Sequence, residues 1–361
     1  MRVAIDARHL GAGRGVARYL EEMLAALAAG FTGDQWVAVV PGDREVQVPD
    51  GVELRRTRLT SRPLFVAAAL IGWPRLEELA GGADVCWIPA PAPVACGSAT
   101  PYVLTVHDRS FESSRAEFTV YERAWHSVAR PRRLAAGAAQ VVVDSQATAT
   151  DLIAAGWPIV GEKLTVVPGA PSLRVSSAAG GPEQGQTEGP YLLYVGALEP
   201  RKGIDTLAQA IVVARRSGLS AELVVVGEGR SGGELEGVSG VRLVGRQSDA
   251  QLARWYENAI AVVMPSRLEG FGLPAVEAAA HGVPSVTSDL TVFRETLGDS
   301  AITFPVGDSV ALAKALVVMS TDVELRNRLG DEAREAVARF SWASSAALLR
   351  GVLEQAAGLA R

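Results

Sequence analysis

Residues 259–277 read Ala-Ile-Ala-Val-Val-Met-Pro-Ser-Arg-Leu-Glu-Gly-Phe-Gly-Leu-Pro-Ala-Val-Glu. The run Ala259–Met264 is apolar on both faces, as a buried parallel strand is. A glycine-rich loop follows, and Pro274 opens an alanine-rich helix, a position proline favours. Glycines let a backbone approach a ligand closely. The free N–H groups and the dipole of a helix start attract phosphate. Glu269 precedes the helix and faces a bound group across the loop Gly270, Phe271, Gly272 and Leu273. Glu277 is expected in the first helical turn, where it accepts hydrogen bonds from hydroxyls. A diphosphate flanked by two polyhydroxylated rings, that is a nucleotide sugar, satisfies this pattern. The plainer alternative is an ordinary strand-loop-helix connection, with Glu277 complementing the dipole and Glu269 solvated.

Outward from this unit, short apolar runs alternate with helical stretches. The first half offers strands at Val3–Ile5, Trp36–Val40, Val85–Ile88, Tyr102–Val106, Val141–Val143 and Thr165–Val167. The second half offers Leu192–Val195, Leu223–Val226, Ala259–Met264 and Ser285–Thr287. Valine-rich strands joined by helices predict βαβ units and two doubly wound parallel sheets. Residues 173–189 are small, polar and rich in chain breakers, so they read as a linker. The expected organisation is a Rossmann-like domain over 1–172, a second over 190–340, and a terminal helix over 341–361.

Composition fits that organisation and narrows the function. The 361 residues are 48% hydrophobic and 21% charged, enough for two cores, and the net charge is −5. With no basic domain, nucleic acid is not an expected partner. Lysine occurs only at Lys163, Lys202 and Lys314. Cys86 and Cys96 are too few for a disulfide framework or a metal cluster in a chain this long, and Cys86 reads as a buried thiol. Asp6, Arg8 and His9 interrupt the first apolar run, so no signal peptide is read there. The run 64–73 is too short to span a bilayer. A cytoplasmic setting is the expectation. The stretch Tyr121–Arg133 mixes Trp125 and Val128 with several arginines, which suits ordinary amphipathic packing or a peripheral membrane contact.

Further polar pieces fall at the carboxyl ends of strands, where doubly wound sheets bind ligands. Arg201-Lys202-Gly203 follows Leu192–Val195. Arginine offers a planar fork and lysine a point charge, so the pair suits a diphosphate and its developing negative charge. His107-Asp108 ends Tyr102–Val106. The histidine is either structural or a hydrogen-bond partner for a sugar, and Asp108 suits a cap of the following turn. The loop 11–16 approaches a phosphate backbone-first but lacks the third glycine of a dinucleotide fingerprint. Gly227-Glu228-Gly229 and Val244-Gly245-Arg246-Gln247 form turns suited to walling a nucleoside. Trp255 and Tyr256 read as core packing.

Taken together the pieces resemble family 4 of the retaining glycosyltransferases (group 1), which have the GT-B fold: two Rossmann-like domains facing across a cleft, with the last helix crossing back to the first. The resemblance runs nearly end to end. It covers Ile5-Asp6-Ala7-Arg8, Thr105-Val106-His107-Asp108 with Phe111-Glu112, and Val143-Asp144-Ser145. It continues through Tyr194-Val195-Gly196, Arg201-Lys202-Gly203, Gly227-Glu228-Gly229, the block from Glu269 to Glu277, Gly282-Val283-Pro284 and Phe340-Ser341-Trp342. It implies that the first domain is the acceptor side and that the second binds the nucleotide sugar, where Arg201 and Lys202 hold the diphosphate and Glu277 binds the ribose. It also implies that Glu269, with the amides of Phe271, Gly272 and Leu273, meets the transferred sugar. His107 would reach that sugar from the other domain, and Gly15 would approach the distal phosphate. Three positions depart from the family pattern. The first glycine loop reads Gly-Arg-Gly-Val-Ala, Pro168-Gly169-Ala170 replaces an asparagine-glycine turn, and Arg109 stands where leucine is frequent, on the acceptor side beside Asp108.

The resulting expectation is a retaining, metal-independent hexosyltransferase without a cofactor. It moves sugar from a nucleotide donor, GDP-mannose or a relative, to a hydroxyl of a glycan, lipid-linked or small-molecule acceptor. The alternatives are a nucleotide-sugar epimerase of the same fold and a non-catalytic nucleotide-sugar-binding subunit.

Overall fold

The computed structural model describes residues 1–12, 15–172 and 189–359. Most of the expected linker, residues 173–188, and the loop residues Gly13 and Arg14 lie outside the described residues. Contacts divide the chain into two units, Met1–Gly169 with Ser341–Arg361, and Ala170–Phe340.

The first unit opens with β1 (Arg2–Asp6), α1 (Gly15–Gly30), β2 (Gln35–Val40), β3 (Val52–Arg56), α2 (Ser61–Ile71), α3 (Leu76–Leu79), β4 (Val85–Ile88) and β5 (Tyr102–Val106). It continues through α4 (Ser110–Ser113), α5 (Val120–Ala129), α6 (Pro131–Gly137), β6 (Gln140–Val143), α7 (Gln146–Ala154) and β7 (Leu164–Val166). The second unit contains β8 (Tyr191–Val195), α8 (Ile204–Arg216), β9 (Glu222–Val226), β10 (Val241–Gly245), α9 (Asp249–Glu257) and β11 (Ala261–Met264). After these come α10 (Leu273–Ala280), β12 (Ser285–Ser288), α11 (Thr291–Leu297), β13 (Ala301–Phe304), α12 (Ser309–Thr321) and α13 (Val323–Val337). The last helix, α14 (Trp342–Leu359), belongs to the first unit.

Each unit is a parallel sheet wound in both directions. The first has order β3-β2-β1-β4-β5-β6-β7 and the second β10-β9-β8-β11-β12-β13. Central strands are buried on both faces, which is why they read as unbroken apolar runs. Three strands were not expected: β3, β10 and β13. Each lies at a sheet edge and carries charged or polar residues on its partly covered face.

The core of the first unit explains the return of α14. Ala346, Leu349, Leu353 and Ala356 are fully buried in one cluster with Leu20, Met23, Leu24 and Leu27 of α1. The arginine-rich stretch expected as one helix is two. Arg130 takes the left-handed φ of 47° between α5 and α6, and Pro131, which disfavours a right-handed helical residue before it, opens α6.

Candidate donor site at the switch point of the second sheet

The second sheet grows outward from β8 in both directions, to β9 and β10 on one side and to β11, β12 and β13 on the other. Loops diverge where the direction reverses, between β8 and β11, and open sheets bind ligands in the crevice left there. The loop after β8 carries Arg201 and Lys202 in a 3-10 turn over Pro200–Lys202. The loop after β11 carries Glu269. The two loops are pinned together: Arg267 N donates to Arg201 O at 2.8 Å, and its guanidinium donates to Pro200 O and to Asp205 Oδ2, each at 2.6 Å. Gly203 ends the turn with φ 69°, and a Cβ there would lie 2.0 Å from Pro265 O. Only glycine permits that approach.

Lys202 Nζ donates to Glu269 Oε1 at 2.6 Å, and Ser266 Oγ donates to the same oxygen at 2.7 Å. Both charged side chains are largely buried, with exposures of 14% and 7%. Arg201 Nε donates to Glu199 Oε2 at 3.0 Å. The structure therefore brings three of the expected residues, Arg201, Lys202 and Glu269, to one end of one sheet. Gly270 and Phe271 continue the same loop, with Phe271 buried against Phe340 at 5.2 Å between ring centroids. Gly272, with φ 80°, is the N-cap of α10, and Leu273 is its first residue.

Glu277 differs from its expected setting. It lies beyond the first turn of α10 and is only 3% exposed. Tyr256 Oη donates to its Oε2 at 3.0 Å, and the Tyr256 ring stacks on His281 at 5.8 Å. Tyr256 does pack in the core as expected, yet its hydroxyl also anchors an acidic side chain. The signal available in sequence was chemical: a buried phenol needs a hydrogen-bond partner.

The neighbouring turns are tightly wired. Cβ atoms at Gly227 and Gly229 would lie 1.9 Å from Gly196 O and 2.3 Å from Leu198 O, so the loops after β8 and β9 touch backbone to backbone. Gly245, expected in a turn, is the last residue of β10, and its carbonyl accepts from Gly227 N at 2.9 Å. Gln247 spans the next turn, donating to Val244 O at 2.8 Å and accepting from Trp255 Nε1 at 3.2 Å.

The first unit holds the remaining candidates. His107 Nδ1 meets Asp144 Oδ2 at 2.6 Å and Nε2 meets Pro89 O at 2.8 Å, so both ring nitrogens are engaged within this unit. Burial lowers the basicity of His107, but the Asp144 carboxylate outweighs it and the pKa is raised above 6.5. The Tyr19 ring packs edge-on against His107 at 4.9 Å, and Trp342 of α14 packs on Tyr19 at 5.6 Å. Asp108 accepts from Ser110 N at 2.9 Å and Ser110 Oγ at 2.6 Å, closing the turn that leads into α4. Arg109 is held by a two-pronged bond to Asp151 at 3.0 and 2.8 Å. Gly15 is the first residue of α1, with open space where a Cβ would stand. The two cysteines, remote from any metal motif in sequence, converge in space. Cys86 of β4, Cys96 and Glu77 of α3 place one ligand atom each within 4.8 Å of one another. Among the described residues no helix is long and apolar enough to cross a membrane.

With this geometry in hand, the likenesses to known proteins are specific. The family described as Glycosyl transferases group 1 matches residues 189–322, most of the second unit. The phosphatidyl-myo-inositol mannosyltransferase of Mycobacterium leprae is 35% identical over 190 residues, covering 50% of this chain and 49% of that protein. The MMP alpha-(1->4)-mannosyltransferase of Mycolicibacterium hassiacum is 32% identical over 276 residues, 71% of this chain and 66% of that protein. The chain thus spans between about half and two thirds of the length of these curated relatives. Sucrose-phosphate synthase from Thermosynechococcus elongatus shares the fold with a TM-score of 0.74 at 20% identity, over 98% of each chain. The chain belongs to the group 1 glycosyl transferases and has the GT-B architecture of two doubly wound parallel sheets.

Proposed function

We propose that the protein is a retaining glycosyltransferase that moves a hexose from a nucleoside diphosphate sugar to an acceptor hydroxyl. One observation carries the reading: Lys202 and Glu269 meet at 2.6 Å at the switch point between β8 and β11. A cation and a carboxylate held there, beside the glycine loop opening α10, suit a diphosphate joined to a polyhydroxylated ring. Arg201 and Lys202 stabilise the departing diphosphate as its charge grows, while Glu269 orients the sugar. Glu277 and Tyr256 form the polar wall for the ribose. The acceptor hydroxyl attacks from the face the diphosphate leaves, and the leaving phosphate takes its proton, so no covalent nucleophile is required. The paired cations do the work a metal would otherwise do. The names of the two curated relatives, both mannosyltransferases, favour GDP-mannose or a related donor. His107 acts on the sugar only when it releases Pro89 O or Asp144, so its primary duty is to shape the loop after β5.

Thermal shift with GDP, UDP, ADP, dTDP and their sugar conjugates tests the reading, because a ligand that binds only the native state raises its apparent stability. One nucleotide should raise the melting temperature of the wild type and leave Lys202→Ala unmoved. Equal shifts in both proteins would remove the diphosphate assignment. Product analysis without acceptor then separates slow donor hydrolysis from epimerisation.

A further inference from the structure

Two cysteines and a glutamate meet in the first unit. Cys86 lies inside β4 and is fully buried. Cys96 returns on the loop that follows β4, and Glu77 stands in α3. Both cysteines are free thiols. Their two sulfurs and one carboxylate oxygen lie within 4.8 Å of one another, and Cys86 Sγ is 3.9 Å from Glu77 Oε2. Tetrahedral zinc, with bonds of about 2.3 Å to sulfur and about 2.1 Å to oxygen, needs ligand atoms about 3.6–3.8 Å apart. A contraction of at most about 1 Å brings these three to that spacing.

The backbone builds the meeting. Leu76 N donates to Ala95 O at 2.8 Å, which ties α3 to the loop just before Cys96. Gly97 N donates to Glu77 Oε1 at 2.7 Å. That bond fixes the carboxylate with its other oxygen beside Cys86, the outer-shell support that metal ligands commonly receive. A Cβ at position 97 would collide with Glu77 Oε1, so glycine is what admits the carboxylate.

The donor set selects the occupant. A carboxylate beside two thiols disfavours a bare thiolate but draws a dication, which in turn favours the thiolate form. A disulfide would consume both sulfurs and leave the carboxylate no part to play. Two soft sulfurs and one oxygen suit zinc, whereas magnesium and calcium take oxygen ligands. Cys96 and Glu77 are each half-buried, so an ion enters from solvent and keeps a water as its fourth ligand.

We infer that Cys86, Cys96 and Glu77 bind one zinc-class ion. Binding forms two sulfur–metal bonds and one oxygen–metal bond and releases the two thiol protons to solvent. The ion clamps the loop between the cysteines, residues 87–95. Pro89 O in that loop meets His107 Nε2 at 2.8 Å, and Pro93 O accepts from Arg8 Nη2 at 3.1 Å. The role is structural: the ion holds the loop, and the proposed sugar transfer draws on none of its three ligands.

The test uses the untagged full chain, reduced and kept from oxygen, with cobalt(II), zinc and magnesium as probes. Cobalt should bind one per chain and give the ultraviolet thiolate-to-cobalt band together with the visible bands of a tetrahedral ion, and zinc should bleach both. Zinc should raise the melting temperature, EDTA should reverse that rise without changing turnover, and magnesium should give no rise. Cys96→Ser should weaken cobalt binding at least roughly tenfold, about 1.4 kcal/mol, and lower the thiolate band at saturation. Glu77→Gln should weaken binding while keeping that band. A wild type with two titratable thiols and no thiolate band would overturn the inference, as would an undiminished band in a folded Cys96→Ser. A Cys86–Cys96 disulfide that survives the reductant would overturn it too. If Cys96→Ser does not fold, the wild-type band and Glu77→Gln decide the matter.

Discussion

The ammonium of Lys202 and the carboxylate of Glu269 share a 2.6 Å hydrogen bond, although 67 positions separate them in the chain. Ser266 donates to the same carboxylate oxygen. Each charge is largely buried, so removing either partner strands the other in a poor dielectric. In the proposed donor complex the pair shares its charges with phosphate and sugar.

Lys202→Ala should therefore lower kcat by about 10²–10³, the range seen when one preorganised donor to a developing anion is removed. Glu269→Ala should lower turnover by a similar factor. Because the two side chains touch, the double variant should be far less impaired than the product of the singles, with a coupling of about 0.5–3 kcal/mol. Steady-state kinetics of the four proteins form the cycle. Strict additivity would mean that the contact has no part in turnover.

Tyr256→Phe tests the buried anchor of Glu277. The substitution removes one hydroxyl and leaves a nearly enclosed carboxylate without its 3.0 Å donor. A loss of about 1–3 kcal/mol in stability should follow, read by denaturant unfolding. On the proposed role of Glu277 in holding the ribose, Glu277→Gln should mainly raise KM for the donor, since such a contact is equal in the ground and transition states. A fall in kcat with KM unchanged would move Glu277 out of the binding wall.

Gly203→Ala tests how the cationic turn is held against β11. A left-handed φ alone costs a non-glycine residue about 1–2 kcal/mol. The added methyl would also lie 2.0 Å from Pro265 O, so the turn must move. Melting temperature and donor affinity should both fall. Gly233→Ala is the control: its Cβ would stand in open space, and its effect should stay within about 0.5 kcal/mol. Equal melting temperatures for the two variants would contradict the close approach.

What the sequence disclosed and what it withheld divide along physical lines. Central strands such as Val85–Ile88 are buried on both faces, so their apolar runs were legible. The edge strands β3, β10 and β13 mix charged or polar residues with apolar ones, and short-range pattern could not separate them from loops. Arg201, Lys202 and Glu269 were legible because strand ends in doubly wound sheets are where ligands gather. The Tyr256–Glu277 bond was not, because it depends on how α9 packs against α10. The convergence of Cys86, Cys96 and Glu77 was hidden for the same reason, since it depends on a loop folding back over β4.

Metal dependence is decided by chelation. The proposed site meets the diphosphate with Arg201 and Lys202, so turnover should be unchanged in EDTA. Activity lost with EDTA and restored by magnesium would show that the two cations are insufficient and that the donor arrives as a metal complex.

The His107–Asp144 pair gives the fold a pH signature. Burial opposes the charge on His107, the neighbouring carboxylate more than compensates, and the native pKa lies above the ordinary 6.5. A group that binds its proton more tightly when folded stabilises the native state fully below its unfolded pKa, and that contribution is lost as pH rises through the native one. Asp144→Asn should remove it. The gap in melting temperature between wild type and Asp144→Asn should be widest below pH 6.5 and should close on the alkaline side. His9 works in the opposite sense. Burial pushes its pKa down to about 4, so its contribution is present above 6.5 and is lost as pH falls through about 4. The charge on His107 adds to that lowering, so the His9 pKa moves back toward 6.5 when Asp144→Asn removes that charge. An NMR titration of the His107 ring should give a midpoint above 6.5 in the wild type and below it in Asp144→Asn. A melting-temperature gap that does not vary with pH would show that Asp144 supports the loop after β5 by packing alone, with no charge on the imidazole.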